Sequence, residues 1–560
     1  MKTGTVRSMW LLLMLLFLGN IMFAQSSKTA PDQRVWSVKY WNKMAAEGYA
    51  EYNPQIQFAP AEFTGSGIDA LSVMVDDSPD VPVINAGNTT QSENSIFVNP
   101  LDPLKALNSN NSTENPVGAL YGTSGFMTAD GGLTWGGSVQ GTGGSNSGDP
   151  AAVIDLNGRY FVGYIADDLG QGVAYSDDEG QTWTHVQAAP SPGGFFDVLD
   201  KNHLWVDNSP SSPHEGNLYA AWTRFQSGSP NDSEIEVVRS TDGGLTWSAP
   251  INVSSAVNAG SHNQGVHIQT GPNGEVYVTW AIYDAFPADE TAMGLAVSLD
   301  GGATYSTAVR VINNIRGIRN TTAGKNHRVA SFPSTAADIS GSGNNGTLYV
   351  VWPNVGVPGT NTGTDVDVYM SKSSDGGATW STPSRVNQDP SGLGKKHYHC
   401  WITSDPETGN LSVIFYDDRD VSSTDCEVYV ANSLTGGDTW EDFKVSDVSF
   451  TPAPIPGLAG GYFGDYLSIS ARGGRVYPCW TDNRSGSALT YVSVFQLADP
   501  DDPNPPDAFD AYSDYLTPTD MALSWTDPTT LVNGTPITSS DFEILISRDG
   551  AQIATVAGGV

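Results

Sequence analysis

The chain has 560 residues, a formal charge of −35 and three cysteines, Cys400, Cys426 and Cys479. Such an acidic chain repels nucleic-acid phosphates and anionic lipid headgroups, which argues against nucleic-acid binding and electrostatic membrane binding. Three cysteines are too few for a disulfide-stapled domain, and no CxxC or CxxH spacing of a zinc site occurs.

The first 24 residues are predicted to be a secretory signal peptide. Lys2 and Arg7 precede an apolar run at residues 9–18, and Ala24 provides a small residue for cleavage. The run is shorter than the roughly 20 residues that span a bilayer, so we expect a secreted chain, extracellular or at the cell surface, without a membrane span. Residues 25–80 are predicted to form an N-terminal extension with one helix at residues 34–46.

An eight-residue pattern, Ser/Thr-x-Asp-x-Gly-x-x-Trp, recurs six times. The copies occupy residues 128–135, 176–183, 240–247, 298–305, 373–380 and 433–440. Each copy predicts a tight turn in which the Asp accepts backbone N–H groups, a Gly takes positive φ and the aromatic ring packs on the sheet. We therefore assign structural roles to Asp130, Asp178, Asp242, Asp300, Asp375, Trp135, Trp183, Trp247, Trp380 and Trp440.

A Gly-led strand with period-2 alternation accompanies the boxes, as in GNLYAAW at residues 216–222 and GEVYVTW at residues 274–280. With one strand before it and two after, each unit has four strands, which is typical of a propeller blade. The sequence therefore predicts an all-β fold with a β-propeller at residues 81–498. Seven blades are favoured over six, and a strand at residues 81–84 is expected to complete the last blade.

The repeated box resembles the bacterial neuraminidase repeat, and the chain is similar to the sialidase-like superfamily over roughly residues 90–495. This resemblance implies a secreted glycoside hydrolase, exo-sialidase-like or related, that acts on an extracellular glycan or glycoprotein. The Arg-containing motif that sialidases carry before the first box is absent, because no Arg lies between Arg34 and Arg159. Tyr466, in Gly464-Asp465-Tyr466, resembles the sialidase nucleophile in position.

Beyond the propeller, residues 499–507 (DPDDPNPPD) are predicted to be a linker. Residues 508–560 resemble a fibronectin type III domain through MALSWTDP at residues 521–528 and DFEILISRDG at residues 541–550. The segment is roughly 30 residues short of a full sandwich, so we expect a partial β-sandwich.

Charged turns are expected on the face opposite the boxes, where the resemblance places the ligand. Carboxylates there suit acid and base catalysis on a glycosidic bond, and guanidiniums suit an acidic sugar. We predict Asp417, Asp482 and Tyr466 as catalytic residues and Arg224, Arg419 and Arg484 as substrate-binding residues. The alternative is that these groups pair with one another across blades or solvate turns.

A Lys-x-His pattern recurs before three predicted inner strands, at residues 201–203, 325–327 and 395–397. We predict that His203, His327 and His397 bind substrate, and the alternative is that each bonds a neighbouring blade. The pattern identifies no metal ligand set. The chemistry requires no cofactor, although Ca²⁺ suits so acidic a chain, and the sequence defines no oligomeric state.

Two functions follow from these observations. The first is glycan hydrolysis at the channel mouth. The second is a non-catalytic propeller that binds glycan or protein partners.

Overall fold

The computed structural model describes residues 35, 37–53, 61–66, 74–142, 146–194, 197–225, 233–257, 262–286, 288–319, 325–497, 503–504, 506–512, 522–531, 535–548 and 551–559. Strands dominate this part of the chain, which confirms the predicted all-β class. The predicted signal peptide lies outside the described residues.

Seven antiparallel sheets of four or more strands follow one another in the described residues, and we number them in chain order. Sheet 1 comprises Thr89–Val98, Ala106–Glu114, Leu120–Thr123, Gly125–Thr128 and Gly136–Ser138. Sheet 2 comprises Ala151–Ile154, Tyr160–Ile165, Gln171–Ser176 and Thr184–Ala189. Sheet 3 comprises Val198–Val206, Leu218–Phe225, Glu234–Ser240 and Ile251–Asn252. Sheet 4 comprises His262–Thr270, Val276–Tyr283, Ala292–Ser298 and Val309–Asn313. Sheet 5 comprises Ser334–Ala337, Leu348–Val357, Thr362–Ser373 and Ser384–Arg385. Sheet 6 comprises His397–Ser404, Leu411–Asp417, Glu427–Ser433 and Glu441–Lys444. Sheet 7 comprises Ser468–Arg472, Arg475–Asp482, Leu489–Val492, Val81–Pro82, Phe495–Leu497 and Met74–Asp77.

The first strands of the seven sheets form a closed ring. Each contacts the first strand of the next sheet, and Ser468–Arg472 of sheet 7 contacts Thr89–Val98 of sheet 1. Except in sheet 1, whose second strand Ala106–Glu114 is mostly polar, the second strands are mostly apolar on both faces because a neighbouring sheet covers each face. Their aromatic ends, Trp222, Trp280, Trp352 and Trp480, are fully buried. This ring is the arrangement of a β-propeller.

Sheet 7 joins the two ends of the ring. Val81–Pro82 pairs antiparallel with Leu489–Val492, so a strand from the start of the ring completes its last sheet. Val83 is buried beside Ile96 of sheet 1 and Tyr477 of sheet 7. Apolar packing and backbone hydrogen bonds therefore both close the seam, which is the junction of sheet 7 with sheet 1.

The box turns are held by their own side chains. Asp242 Oδ1 accepts hydrogen bonds from the backbone N–H groups of Leu245 (3.1 Å) and Thr246 (2.9 Å), and Oδ2 accepts from Thr246 Oγ1 (2.5 Å). Gly243 and Gly244 have φ of 71° and 85°, which a residue with a Cβ rarely adopts. Because Thr435 replaces Asp in the sixth copy, its hydroxyl accepts from Thr439 N at 2.9 Å instead.

Shorter elements flank the ring. The helix is Val38–Ala46, and Ser37 caps it; Arg34, its predicted start, lies outside the described residues. The remaining elements are the pair Glu62–Phe63 and Val448–Ser449, the 3₁₀ helix Ser255–Val257, and the two-stranded sheets Asp507–Tyr512 with Ala522–Thr526 and Glu543–Arg548 with Ala551–Ala557. The predicted fibronectin-like sandwich stays a prediction. Within the described ranges, no helix is both long and apolar enough to cross a membrane.

Candidate active site

A β-bulge recurs near the start of several first strands. The pairing register shifts at residues 92–95 in sheet 1, 200–203 in sheet 3 and 398–401 in sheet 6. Glu93, Lys201 and His399 lie in these bulges with φ of 55°, 53° and 52°. A bulge re-aims the side chain that it carries. Here the bulges bring charged residues of different sheets together.

The centre of this cluster is a pair of buried carboxyl groups. Glu93 is 2% exposed and Asp149 is 4% exposed, and their carboxyl groups are hydrogen-bonded to each other. Asn111 donates to Glu93 and accepts from the Asp149 backbone N–H (2.7 Å), while the Lys201 backbone N–H donates to Asp149 Oδ2 (3.0 Å). Residues of sheets 1 and 3 thus hold both carboxyl groups in place.

The two carboxyl groups compete for one proton. Burial raises the pKa of Glu93 well above its usual value, and the nearby charges of Asp149 and Asp465 raise it further. Burial also raises the pKa of Asp149, but the hydrogen bond from Glu93 and the charge of Lys201 oppose this rise. The hydrogen bond between the two carboxyl groups therefore holds one shared proton, and the pair titrates as one unit.

Two cations complete the cluster. Arg328 binds Asp465 through two hydrogen bonds, Nε to Oδ1 at 2.9 Å and Nη2 to Oδ2 at 2.8 Å. The Lys201 ammonium lies 3.6 Å from the centre of the Tyr466 ring. Burial lowers the pKa of Lys201, although the neighbouring carboxylates oppose the change. The charges of Lys201 and Arg328 match those of Asp149 and Asp465.

A small cavity lies beside the cluster and is lined in part by Lys201, His399, Trp401, Asp465 and Tyr466. Burial lowers the pKa of His399 to about 4, so its imidazole is neutral. Its Nε2 atom is buried without a hydrogen-bond partner. The cavity therefore presents an ammonium, a neutral imidazole and a carboxylate.

A second, larger cavity is lined by residues of the first strands of all seven sheets. Its walls are mostly apolar and include the aromatic rings of Phe97 and Trp205. Trp401 lines both cavities. The ring thus encloses a polar cavity and an apolar cavity, and Trp401 lies between them.

Tyr466, predicted as catalytic, lies in the cluster. Its hydroxyl donates to the Pro150 carbonyl at 3.2 Å, and burial raises the pKa of Tyr466 well above its usual value. The phenol is therefore neutral and already engaged as a donor. This environment does not favour a phenolate nucleophile.

The structure does not bring the three predicted arginines together. Arg224 binds Glu236 of its own sheet at 2.9 Å, Arg419 binds Asp442 (2.6 Å) and Arg484 binds Asp80 (2.7 Å). No described residue is bonded to more than one of them. The expected carboxylate clamp is not formed, because each guanidinium is neutralised within its own part of the ring.

The predicted catalytic carboxylates Asp417 and Asp482 belong to the same local pairs. Asp417 Oδ2 accepts from Arg419 Nε at 2.7 Å, and Asp482 Oδ2 accepts from Arg484 Nε at 2.8 Å. Both carboxylates are fully buried. The alternative interpretation from the sequence has these acids and arginines pair across blades or solvate turns; pairs do form, but each joins two residues of a single turn.

The three predicted histidines lie in different surroundings. His203 stacks on His267 with ring centres 4.0 Å apart, and burial lowers its pKa to about 3. His327 packs near His399, 5.9 Å between ring centres. His397 lies in a separate ionic network between sheets 5 and 6. They do not form a single ring of imidazoles.

The sequence analysis did not select Glu93, Asp149, Arg328 or Asp465 as site residues. Asp149 and Asp465 lie two and three residues before a first strand, whereas Glu93 lies inside Thr89–Val98 as Lys201 lies inside Val198–Val206, so no shared strand position marks them. The positive φ of Glu93 (55°) and Asp149 (58°) is invisible to a pattern search.

Comparison with known proteins gives weak similarities. No protein-family profile matches the chain. A curated relative, a xyloglucanase of Paenibacillus sp, is 24% identical over 330 residues, 52% of this chain and 28% of that protein. The chain thus spans about a quarter of the relative's length.

Solved structures with similar strand arrangements include the Hadza microbial sialidase Hz136 (15% identity, TM-score 0.40, 79% of this chain and 96% of that chain). Others are the polysaccharide lyase Uly1 (9%, 0.41, 74% and 91%) and the α-L-arabinofuranosidase Arb93A of Fusarium graminearum (13%, 0.40, 62% and 92%). No family membership follows from these values.

Proposed function

We propose that the protein is a secreted Asp-box propeller of the sialidase-like type that hydrolyses glycosidic bonds of extracellular glycans inside its ring. In this proposal each of the seven sheets is a blade, and the strands after residue 507 belong to a partial fibronectin-like module. The observation that carries the proposal is the buried, hydrogen-bonded pair of carboxyl groups of Glu93 and Asp149, whose pKa values are both raised. Buried titratable groups with shifted pKa values are typical of acid and base catalysts.

Glu93 is the general acid and Asp149 is its ionised partner. Hydrogen-bonded carboxyl groups lie closer than the roughly 5 to 5.5 Å of the two carboxylates in retaining glycosidases, so we treat this pair as one acid unit. Asp465, oriented by Arg328, supplies the second negative charge and stabilises the positive charge that develops on the sugar. Glu93 protonates the leaving oxygen as the glycosidic bond breaks, a water molecule bonds to the sugar carbon, and the Glu93 carboxylate takes the proton that this water loses. Tyr466 and the neutral His399 position the ligand, and these proton transfers need no cofactor.

The charge of the cluster favours a neutral sugar over an acidic one. Lys201 and Arg328 are matched by Asp149 and Asp465, which leaves no surplus positive charge for a sialate carboxylate. Trp401 and Trp205 provide aromatic walls of the kind on which sugar rings stack. The curated relative is named a xyloglucanase, which agrees with a neutral glycan.

Turnover of a glycan panel tests this proposal. We expect product release from a neutral glycan such as xyloglucan or arabinan, and little from sialosides. E93Q keeps a donor toward Asp149 but cannot deliver a proton, so we expect kcat to fall by about 10² to 10⁴ with KM little changed. The matched control E179Q changes an exposed glutamate that pairs with Lys105, and it should retain activity.

The alternative function, glycan binding without catalysis, is favoured by the low exposure of the cluster. Glu93, Asp149 and Asp465 are all at most 6% exposed. This alternative predicts saturable glycan binding with no product, and the same affinity in E93Q as in the wild type. Absence of product across the whole panel would overturn the hydrolase proposal.

A further inference from the structure

The channel inside the ring has two ends, and the box turns mark one of them. In sheets 1 to 6 the first and third strands are parallel because both pair antiparallel with the second, as Val198–Val206 and Glu234–Ser240 do with Leu218–Phe225. A box turn follows each of these third strands, so the first strands also end on this side, which we call the box face. They begin on the opposite side, the cluster face, where Asp149 and Asp465 precede first strands.

An N-terminal segment, residues 37–53, crosses the cluster face, and we call it the strap. Near its start, Tyr40 and Met44 are fully buried and share an apolar cluster with Val198 and Phe225 of sheet 3. Val198 begins a first strand and Phe225 ends its partner, so both lie at the cluster face. One end of the strap is therefore anchored on sheet 3.

The other end of the strap is bound to the connection between sheets 6 and 7. Asn53 Nδ2 donates to the carbonyl oxygens of Ile455 (3.2 Å) and Ala459 (2.7 Å). The Gly461 N–H donates to Asn53 Oδ1 at 3.2 Å. This connection leads from a fourth strand to a first strand, so it lies at the cluster face. In a closed ring of seven sheets it is opposite sheet 3, and the strap therefore spans the mouth of the channel.

The same connection covers the carboxyl cluster. Tyr462, the residue after Gly461, is hydrogen-bonded through its hydroxyl to Ser92 Oγ (2.8 Å) and accepts from Asn111 Nδ2 (3.0 Å). Asn111 also holds the two carboxyl groups of the cluster. The three acidic residues of the cluster are at most 6% exposed. The strap and this connection thus close the cluster face over the acids.

The box-face half of the channel is open instead. Phe97, Trp205, Trp401 and Thr403 line the larger cavity and are half-buried, so solvent reaches them. The outer end of this cavity is lined by residues that follow first strands, among them Ile339, which is also half-buried. A ligand can therefore reach the larger cavity from the box face.

The walls of the larger cavity suit an uncharged ligand. Among the described residues that line it, Arg472 alone is permanently charged, and Glu407 neutralises it at 2.7 Å. The His203 imidazole is neutral because burial lowers its pKa to about 3. The rings of Trp205 and Trp401 provide large apolar faces. These walls favour a neutral glycan over an anionic one.

Trp401 connects the larger cavity to the carboxyl cluster. The centre of its ring lies 5.9 Å from that of Tyr466 and 5.7 Å from the Lys201 ammonium. A sugar stacked on Trp401 is therefore beside the cluster.

We propose that the end of a neutral glycan chain enters the ring through the box face and reaches the carboxyl cluster past Trp401. This inference rests on the proposed function, because it takes the cluster as the hydrolytic centre. It reverses the expectation from the sequence, which places the ligand on the face opposite the boxes. Since the strap closes the far end of the channel, the channel admits the end of a chain but not its middle.

Thiol modification tests this access route without requiring turnover. The three native cysteines are at most 5% exposed, so an introduced cysteine dominates the reaction with a small methanethiosulfonate reagent. T403C, in the larger cavity, should react readily, and a xyloglucan oligosaccharide should slow its modification at least about tenfold at saturation. V266C is the matched control, because Val266 lines the small cavity and is 2% exposed, and it should react slowly.

A blocked mouth tests the same route with glycan binding and turnover as readouts. I339C, at the box face, should lose at least about tenfold in affinity for the oligosaccharide and in turnover when it is labelled with a polyethylene-glycol maleimide. The comparison is with the same variant before labelling. Labelled Y52C carries the polymer on the strap, where Tyr52 is 47% exposed, and should retain both.

Three outcomes would overturn the proposed route. They are modification of V266C as fast as that of T403C, absence of protection of T403C by any neutral glycan, and loss of binding in labelled Y52C but not in labelled I339C. Protection of T403C by a glycan that the wild type does not cleave would instead refute the hydrolase proposal and support the route. Thermal midpoints equal to that of the wild type show that each variant is folded.

Discussion

At the scale of single residues, Asp80 shows how the seam of the ring responds to pH. Burial raises the pKa of Asp80, the charge of Arg484 opposes this rise and the charge of Asp447 adds to it. The result is a pKa of about 7. A carboxyl that is protonated in the folded state stabilises it fully below about pH 4, and this stabilisation is lost as the pH rises through 7. We expect the free energy of unfolding to fall by up to about 4 kcal/mol between pH 4 and pH 8.

D80N checks this expectation, because an amide cannot ionise. In urea unfolding at pH 5 and pH 8, D80N should gain stability relative to the wild type at the higher pH. D284N is the control, since hydrogen bonding to Arg310 lowers the pKa of Asp284 and places its transition below this window. Parallel pH dependence in the wild type and D80N would contradict the assignment.

The same scale explains which residues the sequence failed to predict. Arg419 and Arg484 follow Asp417 and Asp482 by two residues, and this spacing is visible in the sequence. The sequence did not show that the two buried carboxylates neutralise these arginines. Glu93 and Asp149 meet because the first strands of sheets 1 and 2 are neighbours, and Asp465 joins them only because sheet 7 lies beside sheet 1 in the closed ring. Side-chain convergence depends on closure and bulges, which local patterns do not encode.

At the scale of elements, the box turns were predicted in more detail than the carboxyl cluster, because the hydrogen bonds of the turns are local. The sixth turn provides a test, since Thr435 supplies one oxygen where Asp242 supplies two. T435D should stabilise the protein by roughly 0.5 to 1 kcal/mol, by analogy with side-chain capping of exposed backbone N–H groups. The reverse exchange, D242T, should destabilise it by a similar amount.

Both exchanges are measured by the midpoint of guanidinium unfolding, together with its slope. A change of the same sign in the two variants would show that the second carboxylate oxygen is not what stabilises the turn. The strands beside these turns were predictable for a similar reason, because alternation of apolar residues is a local signal. The short outer strands, such as Ile251–Asn252, lack that signal because they contain only two residues.

At the scale of the whole molecule, closure of the ring makes its seam a determinant of global stability. Val83 is 3% exposed and packs among residues of sheets 1 and 7. V83A removes two buried methyl groups and should cost roughly 2 kcal/mol. The matched control V309A shortens a valine that is 49% exposed, and surface changes of this kind stay within about 0.5 kcal/mol.

The form of the transition distinguishes a closed ring from an open array. Each of the seven sheets has two neighbours in the ring, so no sheet can fray as the end of a stack. V83A should therefore shift one cooperative transition, and hydrogen exchange should accelerate throughout the ring. A separate early transition confined to sheets 1 and 7, or a V83A midpoint equal to that of V309A, would show that the seam does not couple the sheets.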